Sequence, residues 1–190
     1  MDRLLLWRGL DEWRAESAHV RIDGDRMTAT GTQLGVTPEP YRLDYTLRTG
    51  PEFVTETLEL SVLQTGALKR LLLVREPDGS WTGDDRELPE VQGALDCDIQ
   101  NCPLTNTMPV LRDGLLAPGA ESRAYVMAWI AVPELTVHRS DQWYEPMDER
   151  HVRYVGVGTN FVAALEYDED GLVLNYPEMA VTASVKGLTP

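Results

Sequence analysis

The sequence predicts an all-β protein, built as a large, mostly antiparallel sheet that is curled or forms an open barrel, with little helix. Three observations predict it: short runs of alternating apolar and polar residues, turn residues between the runs, and roughly ten to a dozen such runs in 190 residues. The chain contains no internal repeat, low-complexity segment or linker. Residues 1–190 are therefore expected to form a single domain.

The N-terminal half carries the clearest strand signals. HVRIDGDRMTATGT contains two strand-like runs joined by Asp23-Gly24, a pair typical of hairpin turns. YRLDYTLRT and FVTETLELSVL alternate with the period of half-buried strands, their apolar faces being Tyr41, Leu43, Tyr45 and Leu47 in the first and Leu58, Leu60 and Val62 in the second. A Pro77-Asp78-Gly79 turn follows the next strand.

The C-terminal half is expected to continue the sheet. RAYVMAWIAVPEL is too continuously apolar to assign by period, but its β-branched and aromatic residues favour a buried strand that ends at Pro133. GVGTN is expected to form a turn or bulge. NFVAALEYDEDGLVLNYP is a second hairpin with its turn at Asp168–Gly171, and AVTASVK is a closing strand.

The net charge of −14 restricts the partners. An acidic field repels phosphate backbones and anionic lipid headgroups, so we expect no nucleic-acid binding and no electrostatic membrane docking. A neutral or cationic partner fits the charge better, although a generally acidic proteome would produce the same composition.

The location is expected to be cytoplasmic. Arg8 interrupts the apolar run Leu4–Trp7 too early for a signal-peptide core. No stretch approaches the roughly 20 apolar residues that span a bilayer, so we expect no transmembrane segment. Cys97 and Cys102 would then be reduced thiols.

We expect no metal and no cofactor. Cys97 and Cys102 have no His nearby, whereas structural zinc needs four ligands, usually in two close pairs. The sequence also lacks a recognisable activated nucleophile. One catalytic alternative stays open: Asp96 and Asp98 would share one face of a strand, where a carboxylate pair could act as acid and base in a hydrolase or lyase on a sugar derivative.

The segment CPLTNTMPVLR, Cys102–Arg112, is expected to form a rigid polar loop, because two prolines fix its backbone. Thr105 and Asn106 supply hydroxyl and amide groups between the prolines. The guanidinium of Arg112 suits a carboxylate such as Asp96 or Asp98. This loop would close one end of the sheet, and its polar groups either satisfy one another or contact the polar head of a ligand.

Through nearly its whole length the sequence resembles a bacterial family described as putative glycolipid-binding proteins. The likeness includes LLWRGLDEWRAES, VRIDGDRMTATGT, PYRLDYTLRT and FVAALEYDEDGLVLNYP, and it is most specific in ALDCDIQNCPLTNTMPVLR. The resemblance implies a curled sheet similar to that of bacterial lipoprotein carriers. It also implies an acyl chain in the concavity, with a sugar or other polar head at the rim.

The leading functional hypothesis is therefore the non-enzymatic binding of a hydrophobic or amphiphilic ligand, with a glycolipid as the example that the resemblance suggests. Its predicted polar contacts are Thr105, Asn106, Arg112 and Asp98, and its predicted stacking rings are Trp143, Tyr144 and Tyr154. A protein-interaction module that uses an exposed edge strand is a further alternative. The sequence leaves the oligomeric state open.

Overall fold

The computed structural model describes residues 1–183. The end of the expected closing strand (184–186) and the rest of the expected domain, up to residue 190, lie outside these residues. The described chain forms one sheet of fifteen strands. The first eight are β1 (Asp2–Gly9), β2 (Arg14–Asp23), β3 (Arg26–Gly35), β4 (Tyr41–Thr49), β5 (Thr55–Gln64), β6 (Ala67–Arg75), β7 (Trp81–Gly83) and β8 (Arg86–Glu87).

Of the remaining seven strands, β9 precedes the helical segment at residues 103–113 and the other six follow it. They are β9 (Asp96–Ile99), β10 (Arg123–Ile130), β11 (Val137–Pro146), β12 (His151–Gly156), β13 (Phe161–Tyr167), β14 (Val173–Tyr176) and β15 (Ala180–Thr182). Three short 3-10 helices cover Pro51–Phe53, Pro89–Val91 and Pro103–Asn106. The last of these leads directly into the α-helix α1 (Thr107–Asp113).

The strand order is β8-β7-β6-β5-β4-β3-β2-β1-β15-β14-β13-β12-β11-β10-β9. Neighbours are antiparallel except for β9 and β10, which are parallel. The sheet is curled without closing into a barrel. β9, at one end of the order, contacts β5 near the other end: the backbone N–H of Cys97 donates to Thr55 Oγ1 over 3.1 Å.

The curled sheet encloses two apolar cores. The first packs the inward side chains of β1–β7 against Cys97 and Ile99 of β9 and against Leu104 and Met108 of the helical segment. The second lies under β10–β14 and includes Val110 of α1. The helical segment thus occupies the hollow of the sheet. Within β1–β7, the protein's own side chains fill the concavity in which the resemblance implies an acyl chain.

The alternation predicted for the N-terminal strands is confirmed. Tyr41, Leu43, Tyr45 and Leu47 are all buried on one face of β4. The predicted hairpin after Asp23 is confirmed, with Gly24 and Asp25 as its turn residues. The turns at Pro77–Gly79, Gly156–Asn160 and Asp168–Gly171 are also confirmed, as is the strand over RAYVMAWI. The predicted strand count was too low; β8, for example, has only two residues, too few to show a period.

The central segment is helical, so the prediction of a loop was wrong. Pro103 is the first residue of its 3-10 helix, and Pro109 is the third residue of α1. Proline is tolerated in a first helical turn because the N–H it lacks has no partner inside the helix. Gly114 ends α1 with a φ of 58°, a left-handed conformation that glycine adopts without strain.

Candidate functional site

A cleft of about 400 Å³ lies where β9 and the turn after it meet β10 and the β12–β14 strands. Ile99, Cys102 and Met179 form part of its floor and rim. Its remaining lining divides into aromatic rings, amides and carboxylates. This mixture of apolar walls with a few convergent polar groups is typical of small-molecule sites.

The aromatic wall comes from four different strands. Trp129, Tyr154, Phe161 and Tyr176 line the cleft, one each from β10, β12, β13 and β14. The ring centroids of Tyr154 and Tyr176 are 5.9 Å apart and those of Tyr154 and Phe161 are 6.0 Å apart, in edge-to-face arrangements. These contacts fix the rings, so the wall is formed before any ligand arrives.

Asp98 is the most buried carboxylate in the lining of the cleft. Its Oδ1 lies 2.8 Å from the Thr105 hydroxyl, and its Oδ2 accepts a 2.7 Å hydrogen bond from the side-chain amide of Gln142. Burial raises the pKa of Asp98 to about 6, although both hydrogen bonds oppose the rise. Asp98 therefore titrates near neutral pH at the surface of the cleft.

Asn106 lines the cleft at the end of the 3-10 helix. The residue is only 4% exposed, and its side-chain oxygen has no hydrogen-bond partner among the described residues. A buried polar atom without a partner costs free energy, so such an atom commonly marks a place where water or a ligand binds. Asn106 therefore places a buried acceptor without a donor at the wall of the cleft.

Two further carboxylates, Asp11 and Glu178, are exposed at the rim of the cleft. Among the described residues that line it, none is Lys, Arg or His. Arg14 lies nearby, but its guanidinium is buried and donates to Asp11 and to the carbonyl oxygen of Met179. The cleft is consequently acidic.

A second polar network lies behind Cys102. Glu16 Oε1 accepts a 2.7 Å hydrogen bond from the Tyr45 hydroxyl and lies 3.0 Å from Cys102 Sγ. Burial raises the pKa of both Glu16 and Cys102, so this thiol is not an activated nucleophile. Both cysteines are free and buried.

Asp96 lies apart from the cleft and is tied to Arg112. Two 2.7 Å hydrogen bonds join the guanidinium to the two carboxylate oxygens, which confirms the predicted Arg112–carboxylate pair. The two side chains are 1% and 7% exposed. Asp96 and Asp98 share a face of β9, yet Asp96 does not line the cleft, so the structure gives no support to a catalytic pair.

The structure separates the predicted contact residues. Asp98, Asn106 and Tyr154 line the cleft. Thr105 is buried beneath Asp98, and Tyr144 packs edge-to-face on Tyr154 at 5.5 Å, so both support residues of the lining.

Arg112 and Trp143 do not line the cleft. The guanidinium of Arg112 is occupied by Asp96. Trp143, 39% exposed, lies on the face of β11 opposite to Tyr144, because neighbouring residues of a strand point to opposite faces.

Sequence reasoning missed Trp129, Tyr176 and Gln142. Gln142 precedes Trp143 by one residue in SDQWYEP, so the strand period that places Trp143 outside also places Gln142 inside. Trp129 was visible in RAYVMAWI as a large ring in a strand, but nothing in the sequence showed which strands would face it.

A larger groove of about 660 Å³ lies elsewhere, between residues 116–120 and the turn at 146–151. Its walls include Pro118, Met147 and Arg150 but no aromatic ring of Phe, Tyr or Trp. It also contains none of the buried polar atoms that lack a partner among the described residues. The smaller cleft is therefore the better candidate for a specific site.

Within residues 1–183, no set of three or more His, Cys, Asp or Glu side chains is placed to hold a metal ion. In the same stretch, no helix has the length and apolar character that crossing a membrane requires.

Comparison with known proteins identifies the family. The fold matches the crystal structure of a DUF1089 family protein from Pseudomonas aeruginosa with a TM-score of 0.75 and 30% sequence identity, over 91% of this chain and 93% of that chain. No protein with a curated description matches significantly. The family model described as "putative glycolipid-binding" matches residues 4–182. The chain therefore belongs to this putative glycolipid-binding family.

Proposed function

We propose that the protein binds an amphiphile without catalysis and that the polar head of the ligand, a sugar in the case of a glycolipid, occupies the cleft. The observation that carries this proposal is one juxtaposition: the rings of Tyr154 and Tyr176 face the same space as the carboxylate of Asp98 and the unpartnered amide of Asn106. Rings can cover the apolar face of a sugar while amide and carboxylate groups bind its hydroxyls.

The size of the cleft supports a head group rather than a whole lipid. Its volume of about 400 Å³ lies near the lower end of small-molecule sites, which span roughly 300–1,000 Å³. The family description supports a ligand that combines a sugar with a lipid.

The apolar tail has a place beside the cleft. Leu10 and Trp13 flank the rim residue Asp11 in the β1–β2 turn and are 43% and 62% exposed. The backbone N–H of Leu10 donates to the carbonyl of Met179, which also lines the cleft, so this turn is held against the rim. A tail that leaves the cleft along Trp13 would cover apolar surface at roughly 25 cal/mol per Å².

Two alternatives have less support. A hydrolase that uses Asp96 and Asp98 would need both carboxylates at the substrate, and Asp96 is bound by Arg112. A module that pairs through an edge strand would need a long exposed edge, whereas β9 is buried along its length and β8 has two residues. The cytoplasm remains the proposed location, and the two free thiols agree with a reducing compartment.

The proposal is tested by titrating the protein with octyl glucoside below its micelle concentration, with methyl glucoside as the comparison. We expect saturable binding, tighter for the octyl compound. Trp13→Ala should reduce this preference, since the exposed ring is the proposed contact of the tail. Lipid extraction of the purified protein, followed by mass spectrometry, supplies the natural ligand. A clean extract together with no binding of either glucoside would contradict the proposal.

A further inference from the structure

The chemistry of the cleft also selects among head groups by charge. Its charged side chains are all carboxylates: Asp11, Asp98 and Glu178 have no hydrogen to donate when ionised. The buried oxygen of Asn106 is a further acceptor and has no donor among the described residues. Donor groups on a ligand would satisfy these acceptors. An anionic head would meet the carboxylates of Asp98 and Glu178, for which the described residues supply no ion-pair partner.

The aromatic wall favours the same charge. Tyr154, Tyr176, Phe161 and Trp129 present rings to the space that the acceptors surround. The face of an aromatic ring attracts a cation, and combined ring and carboxylate contacts are a recurring way to bind an ammonium group. The overall charge of −14 adds a field that concentrates cations and repels anions.

The nearest cation of the protein, Arg14, offsets only the rim carboxylate Asp11. Its buried guanidinium donates to Asp11, to Glu12 and to the Met179 carbonyl. Asp98 receives hydrogen bonds from the neutral groups Thr105 and Gln142. The most buried carboxylate of the cleft therefore lacks a positive partner of its own.

From this arrangement we infer that the preferred head group carries an amine, as an amino sugar does, and that its ammonium group binds between Asp98 and the rings of Tyr154 and Tyr176. The inference rests on the proposed function and narrows its ligand class. Neutral sugars retain the hydroxyl and stacking contacts and bind more weakly. Sugars that carry a carboxylate or phosphate are excluded by the acidic lining.

The test compares four monomeric octyl glycosides by calorimetry at neutral pH: glucosaminide, N-acetylglucosaminide, glucoside and glucuronide. The glucosaminide should bind about tenfold more tightly than the two neutral compounds, and the glucuronide should show no saturable binding. Equal binding of the amine and neutral compounds, or binding of the glucuronide as tight as that of the glucoside, would overturn the inference and leave the proposed function standing. Binding of none of the four would instead count against the proposed function.

Two charge-matched variants locate the effect. Asp98→Asn should bring the affinity ratio of glucosaminide to glucoside close to one. The control, Glu121→Gln, removes the same charge from an exposed position. Glu121 lies just before the start of β10 at Arg123, whereas the cleft residue Trp129 lies near the end of that strand. The affinity ratio of this control should therefore equal that of the wild type. The same change of ratio in both variants would show that net charge, rather than Asp98, causes the preference, and the inferred position of the ammonium would be wrong.

Discussion

The side-chain amide of Gln142 donates a 2.7 Å hydrogen bond to Asp98 across 44 residues of sequence. Gln142 in turn accepts a 3.2 Å hydrogen bond from the hydroxyl of Tyr144, which packs on Tyr154 in the cleft wall. This chain of contacts couples the carboxylate to the aromatic wall. The hydrogen bond from Gln142 also favours the ionised form of Asp98, which burial disfavours.

Asp98→Asn should stabilise the protein at pH 7.5 and have little effect at pH 4. The pKa of Asp98 is raised from 3.8 to about 6, so its favourable contribution is complete below pH 3.8 and is lost as the pH rises through about 6. Asparagine has the same shape, and its NH2 can donate to Thr105 Oγ1 while that hydroxyl donates to the Cys102 carbonyl, 2.9 Å away.

Urea unfolding of both proteins at the two pH values measures this effect. The unfolding free energy of Asp98→Asn relative to that of the wild type should be about 2 kcal/mol higher at pH 7.5 than at pH 4. The groups that face Asp98 are Asp96 and the hydroxyls of Tyr144, Tyr154 and Tyr176, and burial raises the pKa of each tyrosine, so none of these hydroxyls ionises in this range. A difference that does not depend on pH would show that Asp98 is not the titrating group.

Arg112→Met should cost about 3–5 kcal/mol of unfolding free energy, because it leaves the buried carboxylate of Asp96 without its partner. Asp96→Leu combined with Arg112→Met should cost less than Arg112→Met alone, since no buried charge remains. Urea unfolding of the two variants decides the point. A double variant that is less stable than the single one would mean that an unpaired buried charge on Asp96 is not the cause of the loss.

The strands of the N-terminal half could be foreseen because β3–β5 bury one face of the sheet. Burial of one face requires apolar and polar residues to alternate along each strand. The helix at Thr107–Asp113 could not be foreseen from its seven residues, which complete no more than two turns and include Pro109. The cleft was hardest to foresee. Asp98, Gln142 and Tyr154 meet only through strand order, which the local pattern of residues does not contain.

Gly31→Ala should destabilise the protein by at least about 2 kcal/mol. Gly31 pairs with Tyr45 across β3 and β4, and a Cβ at residue 31 would overlap the Tyr45 ring. The ring would have to move and would lose its hydrogen bond to Glu16. Thr30→Ala, on the exposed face of the same strand, is the control and should change the unfolding free energy by less than about 0.5 kcal/mol. Equal effects of the two changes would contradict this role of Gly31.

Trp129→Leu and Trp143→Leu test which tryptophan stacks on the ligand. The structure places Trp129 in the cleft, whereas the sequence analysis predicted Trp143 as a stacking ring. Trp129 lines the cleft and Trp143 lies on the other side of the same hairpin. We expect Trp129→Leu to weaken octyl glucoside binding by about tenfold, as the loss of a stacking contact of roughly 1–1.5 kcal/mol implies. Calorimetric titration of both variants measures this. A larger loss in Trp143→Leu would place the ligand on the side of β11 opposite to the cleft.

The position of the bound head group is the central claim, and nuclear magnetic resonance of nitrogen-labelled protein tests it most directly. During titration with octyl glucoside, the side-chain amide signals of Asn106 and Gln142 should shift and saturate together, because one lines the cleft and the other donates to Asp98. Shifts confined to the groove around Met147 and Arg150, with both amide signals unmoved, would contradict the claim.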